Sequence, residues 1–348
     1  MPYKWISYWC HLPLVWRITA IAVSWLIIIS ALHYELNMEH GGRKVMRLGY
    51  MPVIANLAAP LLDYASRDGA VRFDALKFSS FAEMGEALRN NQIDAAFIIA
   101  PLSIVLKQQG EDVKVVYIGN RHESTLVARK DLHVSTLNDL MDKTLAVPLR
   151  YSGHNLSIRQ LMEERGLTGK IKIVEMNPPD MAAALAAGSL DAYYVGEPFA
   201  AKTLKSGDAT LVYHVEQIWP NFIGNLTVVK QKLILEEPAL VKLLVEGAAR
   251  AGIWTSQHPQ EAAKIASHYW NQPIELVEYA LTTPKDRIRY DQFVPKQEEM
   301  QRIVDLMVRF NLLASNDITG LVEDRFAKAA NLNEVTDIKS ILQATGSK

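Results

Sequence analysis

Hydrophobic positions divide this chain into a leading apolar block and a long body of short strands alternating with amphipathic helices. The block is an uninterrupted apolar run over residues 18–32, softened only by Thr19, Ser24 and Ser30 and preceded by Lys4, His11 and Arg17. A spanning helix needs about 20 apolar residues, so a run this short fits the core of a signal peptide. Adding residues 12–16 lengthens it but places Arg17 inside. Ile29 and Ala31 suit cleavage after Ala31. Residues 1–44 are therefore expected to be a signal peptide or a membrane anchor. A buried helix is a third reading, which the basic, Trp-rich approach disfavours.

The body repeats itself at a constant offset of 97, as between Pro101 and Pro198. Glu83-Met84 with Ala87-Leu88 aligns with Asp180-Met181 and Ala184-Leu185, Ile93-Asp94-Ala95 with Leu190-Asp191-Ala192, and Gly69 and Gly110 with Gly166 and Gly207. A gapless register that keeps helix stops, strand starts and a loop proline in phase predicts one architecture used twice. In each copy a strand (45–50; 144–148) leads to a helix ending at Gly69 or Gly166, where glycine suits a left-handed terminus. A second strand follows (73–78; 171–176). Then comes a capped helix: Ser80 and Glu83 form a capping box in one copy, while Asn177 caps and Pro178 takes the first helical position in the other. A third strand (93–99; 190–195) completes the unit. Such β-α-β units imply parallel strands with right-handed crossovers.

Strands at 124–130 and 225–229 are expected to carry the chain from one lobe to the other and back. Residues 239–254 and 297–313 show apolar spacing of 3–4 and read as helices that complete the first lobe. The expected fold is α/β: two lobes with a two-strand hinge, behind the N-terminal hydrophobic segment. Lobe 1 is expected at 45–127 plus 227–332, lobe 2 at 128–226, and a C-terminal tail at 333–348. A ligand would be enclosed between the lobes.

Length and composition agree with this reading. The 348 residues, 49% hydrophobic, suffice for a sizeable core. A net charge of −1, from 37 basic and 38 acidic residues, argues against nucleic acid as a partner. The single cysteine, Cys10, precedes the apolar run and makes neither an internal disulfide nor a cysteine zinc site.

Ligands of parallel α/β sheets bind beyond the C-terminal strand ends, where free helix N–H groups favour anions. The loops 50–56 and 149–155, 79–80 and 177–178, and 100–103 and 196–199 are expected to line the cleft. They, the two hinge strands and the stretch before the return strand supply the candidate ligand-binding residues Asn56, Pro101, Ser103, Ser124, Ser152, Gly153, His154, Pro178, Glu197, Trp219 and Asn225. Ser152 can cap a helix, and His154 can donate to an anion or switch with pH. Glu197 can bind a cation or hydroxyl or pair across the hinge. Trp219 can stack on a ligand or pack the hinge. Asp94 and Asp191 read as a repeated structural aspartate. No GxSxG, Walker, HExxH or GxGxxG pattern is present, so no catalytic residue, cofactor or metal is expected.

His154-Asn155-Leu156, Asn177-Pro178-Pro179-Asp180-Met181, Leu190-Asp191-Ala192 and Val195-Gly196-Glu197-Pro198-Phe199, in this order, resemble the nitrate/sulfonate/taurine family of ABC-importer solute-binding proteins. The match is nearest to its nitrate/bicarbonate-binding branch. The strand Lys143-Thr144-Leu145-Ala146-Val147-Pro148 and the ending Ile318-Thr319-Gly320-Leu321-Val322-Glu323-Asp324 are also similar to that family, so the resemblance spans residues 45–332. It implies a periplasmic-binding-protein (type II) fold, a small anionic or related solute, and permease and ATPase partners. It also implies a monomer located in the periplasm or on the outer face of the cytoplasmic membrane. His154 matches a histidine used for the anion in the nitrate branch. That branch also uses a lysine before the return crossing and a tryptophan near residues 100–103. This chain has neither, which points away from nitrate itself. Glu197 alone does not specify calcium. A membrane-tethered sensor and a biosynthetic enzyme on the same fold are the alternative functions.

Overall fold

The computed structural model of the protein describes residues 13–37, 43–332 and 335–343. Lys4, Cys10 and His11 lie outside the described residues. The chain forms two compact units, residues 1–44 and 45–348. In the first, one helix runs Leu14–Asn37, directly after Pro13, and takes in Arg17. It is longer than the apolar run alone predicts, and Leu14–Tyr34 is long and apolar enough to cross a membrane. Its large apolar side chains, such as Trp16, Trp25 and Leu26, are exposed. Buried packing is therefore not what stabilises it.

The second unit contains two five-stranded sheets with the same plan. The first has the order β2-β1-β3-β10-β4, built from β1 (Lys44–Tyr50), β2 (Val71–Lys77), β3 (Ala95–Ile98), β4 (Val113–Ile118) and β10 (Leu226–Lys230). The second has the order β7-β6-β8-β5-β9, built from β5 (Ser124–Arg129), β6 (Thr144–Val147), β7 (Lys172–Glu175), β8 (Ala192–Gly196) and β9 (Ala209–His214). The repeat holds at the level of register. Leu48 stands opposite Ala95 in the parallel β1–β3 pair, and Leu145 opposite Ala192 in β6–β8. The helices Phe81–Arg89 and Pro178–Ala186 obey the same offset at both ends.

The repeated aspartates explain why that register is shared. Asp94 Oδ2 accepts from the Arg47 backbone N–H at 2.8 Å, and Asp191 Oδ2 accepts from Thr144 N–H at 2.9 Å. Each carboxylate pins the entry of the third strand to that of the first, by a charge-assisted bond worth about 1.5–3 kcal/mol. Local signals are less regular. Ser80 caps its helix through Ala82 N–H, without the reciprocal Glu83 bond, and Asn177 makes no side-chain cap. Gly166 has φ +67°, as a left-handed terminus requires, but the first copy's helix stops at Ala65, well before Gly69.

The domain boundaries differ from expectation. β5 pairs along its length with β8 and β9, so Ser124 and Thr125 belong to the second lobe rather than ending the first. The crossings are instead the segments 119–123 and 219–225. They bond to each other through Gly119 N–H to Asn225 O (2.8 Å) and Gly224 N–H to Asn120 O (3.0 Å). A third segment lies beside them, with Arg121 and Arg289 exchanging backbone bonds at 2.9 and 3.1 Å. Two crossing segments thus form the hinge, and residues around 289 brace it.

Helix Gln297–Arg309 does more than complete the first lobe. Its buried Met300, Ile303, Val304 and Met307 join a core that holds residues of both lobes. Arg309 reaches Glu163 of the second lobe at 2.8 Å. Part of the expected tail is also built in. Ile341 is fully buried, and Arg250 of the first lobe donates to Gln343 O at 2.6 Å.

Candidate functional site

A cavity of about 180 Å³ lies between the lobes against the hinge. Ala100 and Pro101 line it from the first lobe, Gly153 from the second, residues 219–224 from the return crossing, and Glu299, Arg302 and Ile303 from the bridging helix. Ala100 and Gly153 each open a helix, Ala100–Gln108 and Gly153–Glu164. The first N–H groups of a helix have no intrahelical partner and carry partial positive charge. Two such ends meet at this cavity.

Gly153 is required for that geometry, because a Cβ there would come within 2.7 Å of Phe222 Cε2. Ser152 caps the same helix, accepting from Asn155 N–H at 3.1 Å. The charged side chains of the bridging helix differ in their commitments. Glu299 is bound by the buried Arg121 of the first crossing, at 2.9 and 3.0 Å. Arg302 makes no ion pair among the described residues, and its guanidinium lies 4.7 Å over the Trp219 ring. A cation on an indole face keeps its charge available at the rim of the cavity. With Glu299 neutralised, two helix N-termini and one guanidinium remain, a positive surround suited to an anion.

Of the sequence candidates, Pro101, Gly153 and Trp219 line the cavity. The others support it or lie elsewhere. Asn56 is fully buried, accepting from Met51 N–H at 3.1 Å and donating to Phe97 O at 2.9 Å. Ser103 Oγ donates to Ala100 O at 2.6 Å within its own helix. Pro178 is buried at the start of its helix, and the loops 79–80 and 177–178 are not among the lining residues. Asn225 Nδ2 is buried with no hydrogen-bond partner. Glu197 is buried and structural: it accepts from Thr125 Oγ1 and Ala201 N–H, both at 2.7 Å, and its backbone carbonyl accepts from Ile54 N–H of the other lobe at 2.8 Å. Among the described residues no three metal-ligating side chains converge.

His154 is buried behind the cavity wall, edge-on to Tyr194 at 4.9 Å and tilted against Phe222 at 5.4 Å. Burial holds its pKa down, at about 3, so the ring is neutral at physiological pH rather than cationic. Its Nε2 lies 2.9 Å from Ser124 Oγ, and Nδ1 has no partner. Ser124 Oγ also donates to Glu123 Oε1 at 3.1 Å. Burial pushes Glu123 up to about 7, against the Glu197 N–H bond that lowers it. Sequence reading missed Arg302, Glu299, Phe222 and Glu123. Glu299 and Arg302 sit three apart on an amphipathic helix, a pattern shared by many solvated faces.

The NMT1-like family profile matches residues 42–269, more than half of the chain. A Bacillus subtilis (strain 168) protein assigned as an aliphatic sulfonates-binding protein is 24% identical over 314 residues, covering 84% of this chain and 90% of that protein. The taurine-binding periplasmic protein of Escherichia coli (strain K12) is 26% identical over 216 residues, covering 58% of this chain and 65% of its own length. In fold, the chain is similar to the periplasmic nitrate-binding protein of Synechocystis PCC 6803, with a TM-score of 0.75 at 14% identity. That match covers 82% of this chain and 88% of the other. The chain belongs to the NMT1-like family, as a solute-binding protein of the nitrate/sulfonate/taurine group.

Proposed function

We propose that this protein is the extracytoplasmic binding component of an ABC importer and encloses a small oxyanion between its lobes for delivery to a permease driven by an ATPase. The observation that carries this reading is the cavity in which the helix ends at Ala100 and Gly153 meet Arg302. The departures from the nitrate branch and the relatives' names favour an organic sulfonate or similar anion over nitrate. The exposed apolar helix Leu14–Asn37 fits a tether or an export signal that places the body outside the cytoplasmic membrane. The protein acts as a monomer and catalyses nothing.

The test is a thermal-shift panel of nitrate, nitrite, bicarbonate with and without calcium, taurine, alkyl and aryl sulfonates, and pyrimidine precursors. A ligand at about 100 times its dissociation constant adds about 2.7 kcal/mol to stability. One class of anion is expected to shift the wild type and not Arg302→Ala. No shift from any anion overturns the reading.

A further inference from the structure

Glu123, Ser124 and His154 form one hydrogen-bonded chain with a single free end. Glu123 sits in the first crossing, Ser124 opens β5, and His154 stands in the first turn of helix Gly153–Glu164. All three are buried. The links are 3.1 Å from Ser124 Oγ to Glu123 Oε1 and 2.9 Å from Ser124 Oγ to His154 Nε2. The free end is Nδ1, buried and unpartnered, on a ring that follows cavity-lining Gly153 and packs on cavity-lining Phe222.

A hydroxyl has one proton to give, so the chain has two directions. With Glu123 ionised, Ser124 donates to Glu123 and must accept from His154 Nε2–H, which leaves Nδ1 a bare acceptor. With Glu123 protonated, Glu123 donates to Ser124, Ser124 donates to Nε2, and the ring proton resides on Nδ1. A proton arriving at Nδ1 is balanced by Nε2–H passing to Ser124 and the Ser124 proton passing to Glu123. No other reactant is needed. The other Glu123 oxygen, Oε2, is held by Glu197 N–H at 2.8 Å, so Oε1 faces Ser124 throughout. A Cβ on Gly196 would meet Oε2 at 2.8 Å, so glycine is needed for this approach.

We infer that Glu123, acting through Ser124, sets which nitrogen of His154 carries the proton, and that an oxyanion in the cavity, reaching Nδ1 as the Phe222 ring packed on the imidazole gives way, draws one proton onto Glu123 and takes an Nδ1–H bond. Facing Glu123 are Glu197 after β8, Tyr194 on β8, and Arg287 and Tyr290 from the bracing segment. Arg287 is already bound to Glu216 at 3.0 Å and to Ser124 O. Tyr194 and Phe222, both uncharged, face His154. Glu123 therefore has no cation of its own and is the group that can store the proton. The anion half of this inference rests on the function proposed above. The relay half does not.

The test uses the full-length protein in detergent, labelled with ¹⁵N-histidine, with the His154→Gln variant assigning the resonance. In unliganded wild type, His154 is expected to carry its proton on Nδ1 at pH 6 and on Nε2 at pH 8.5. In Glu123→Gln the amide oxygen takes the Glu197 N–H and the NH₂ faces Ser124, mimicking the protonated acid. That variant is expected to hold Nδ1–H at both pH values. Calorimetry with methanesulfonate, ionised throughout this range, in buffers of different ionisation enthalpy then counts protons. Wild type is expected to take up close to one per anion at pH 8.5 and Glu123→Gln none, with binding tighter in the variant by roughly tenfold or more. An unchanging tautomer in wild type, or a switch that persists in Glu123→Gln, overturns the relay. Anion binding without proton uptake at pH 8.5 overturns the coupling. A tautomer switch without methanesulfonate binding supports the relay and overturns its coupling to an alkyl sulfonate, while the oxyanion reading of the cavity stands or falls with the full panel above.

Discussion

The offset that superposes the two halves places Asn56-Leu57 of the first on Gly153-His154 of the second. In the first half, Asn56 folds inward and bonds Met51 and Phe97, a short 3-10 turn spans Ile54–Asn56, and Leu57 is plain core. In the second half, Gly153 opens a helix end to the cavity, and His154 puts an imidazole where leucine stands in the copy. The framework is kept: Asp94 and Asp191 make the same bond, and Met84 and Met181 are both fully buried. A duplicated scaffold keeps what holds its strands in register. It differs at the strand ends, where one copy gains internal satisfaction and the other exposes donors.

The largest effect that would break this comparison is expected from Asn56→Ala. It orphans a buried N–H and a buried carbonyl at about 1–3 kcal/mol each, so chemical unfolding should show a loss of about 2–6 kcal/mol, with anion affinity in the folded protein retained. Loss of affinity without loss of stability would make Asn56 a ligand residue after all.

Next is the pH dependence of His154→Phe. The native imidazole stays neutral until about pH 3, while the unfolded one gains a proton near 6.5, so the histidine's own contribution lowers stability as pH falls from 6.5. Glu123 has the opposite sign. Its stabilising protonated state is complete below the ordinary carboxyl range and is lost as pH rises through about 7. Replacing the ring removes only the histidine share. The stability difference should move in the variant's favour by about 1.4 kcal/mol per pH unit between 6.5 and 4.5. A difference independent of pH would mean that the ring is charged or solvated in the native state.

Gly153→Ala is expected to cost about 1–3 kcal/mol through the Phe222 clash and to abolish anion thermal shifts, the reverse of the Asn56 pattern. Smallest is Arg309→Ala. Its ion pair with Glu163 is half-exposed, and its loss should lower the melting temperature by an amount equivalent to less than about 1 kcal/mol.

The regular part of this fold was legible because a strand–helix–strand unit written twice reinforces its own pattern. The offset in Met84/Met181 and Asp94/Asp191 carried both sheets. The lobe boundary was misplaced because β5 has the same apolar alternation whichever sheet it joins, and only pairing with β8 assigns it. The cavity was legible at Pro101, Gly153 and Trp219, which sit at strand ends or in the return crossing. It was not legible at Arg302, which reaches the cavity only because its helix crosses both lobes, and Glu123, outside the lining, was missed because its burial depends on Gly196 opposite. Ser103 and Asn56 have polar side chains at the right places but spend them on their own backbone neighbourhood.

The strand order also sets a timetable for synthesis. The second sheet draws all five of its strands from residues 124–214, whereas β3 and β4 of the first are joined only through β10, at Leu226–Lys230. As the polypeptide emerges, the lobe made later can close while the lobe begun earlier still waits for its missing strand. Until that strand arrives, the earlier-made edges of β3 and β4 are open to other chains. A chaperone or export factor acting on this protein would therefore be needed most for the half that was made first.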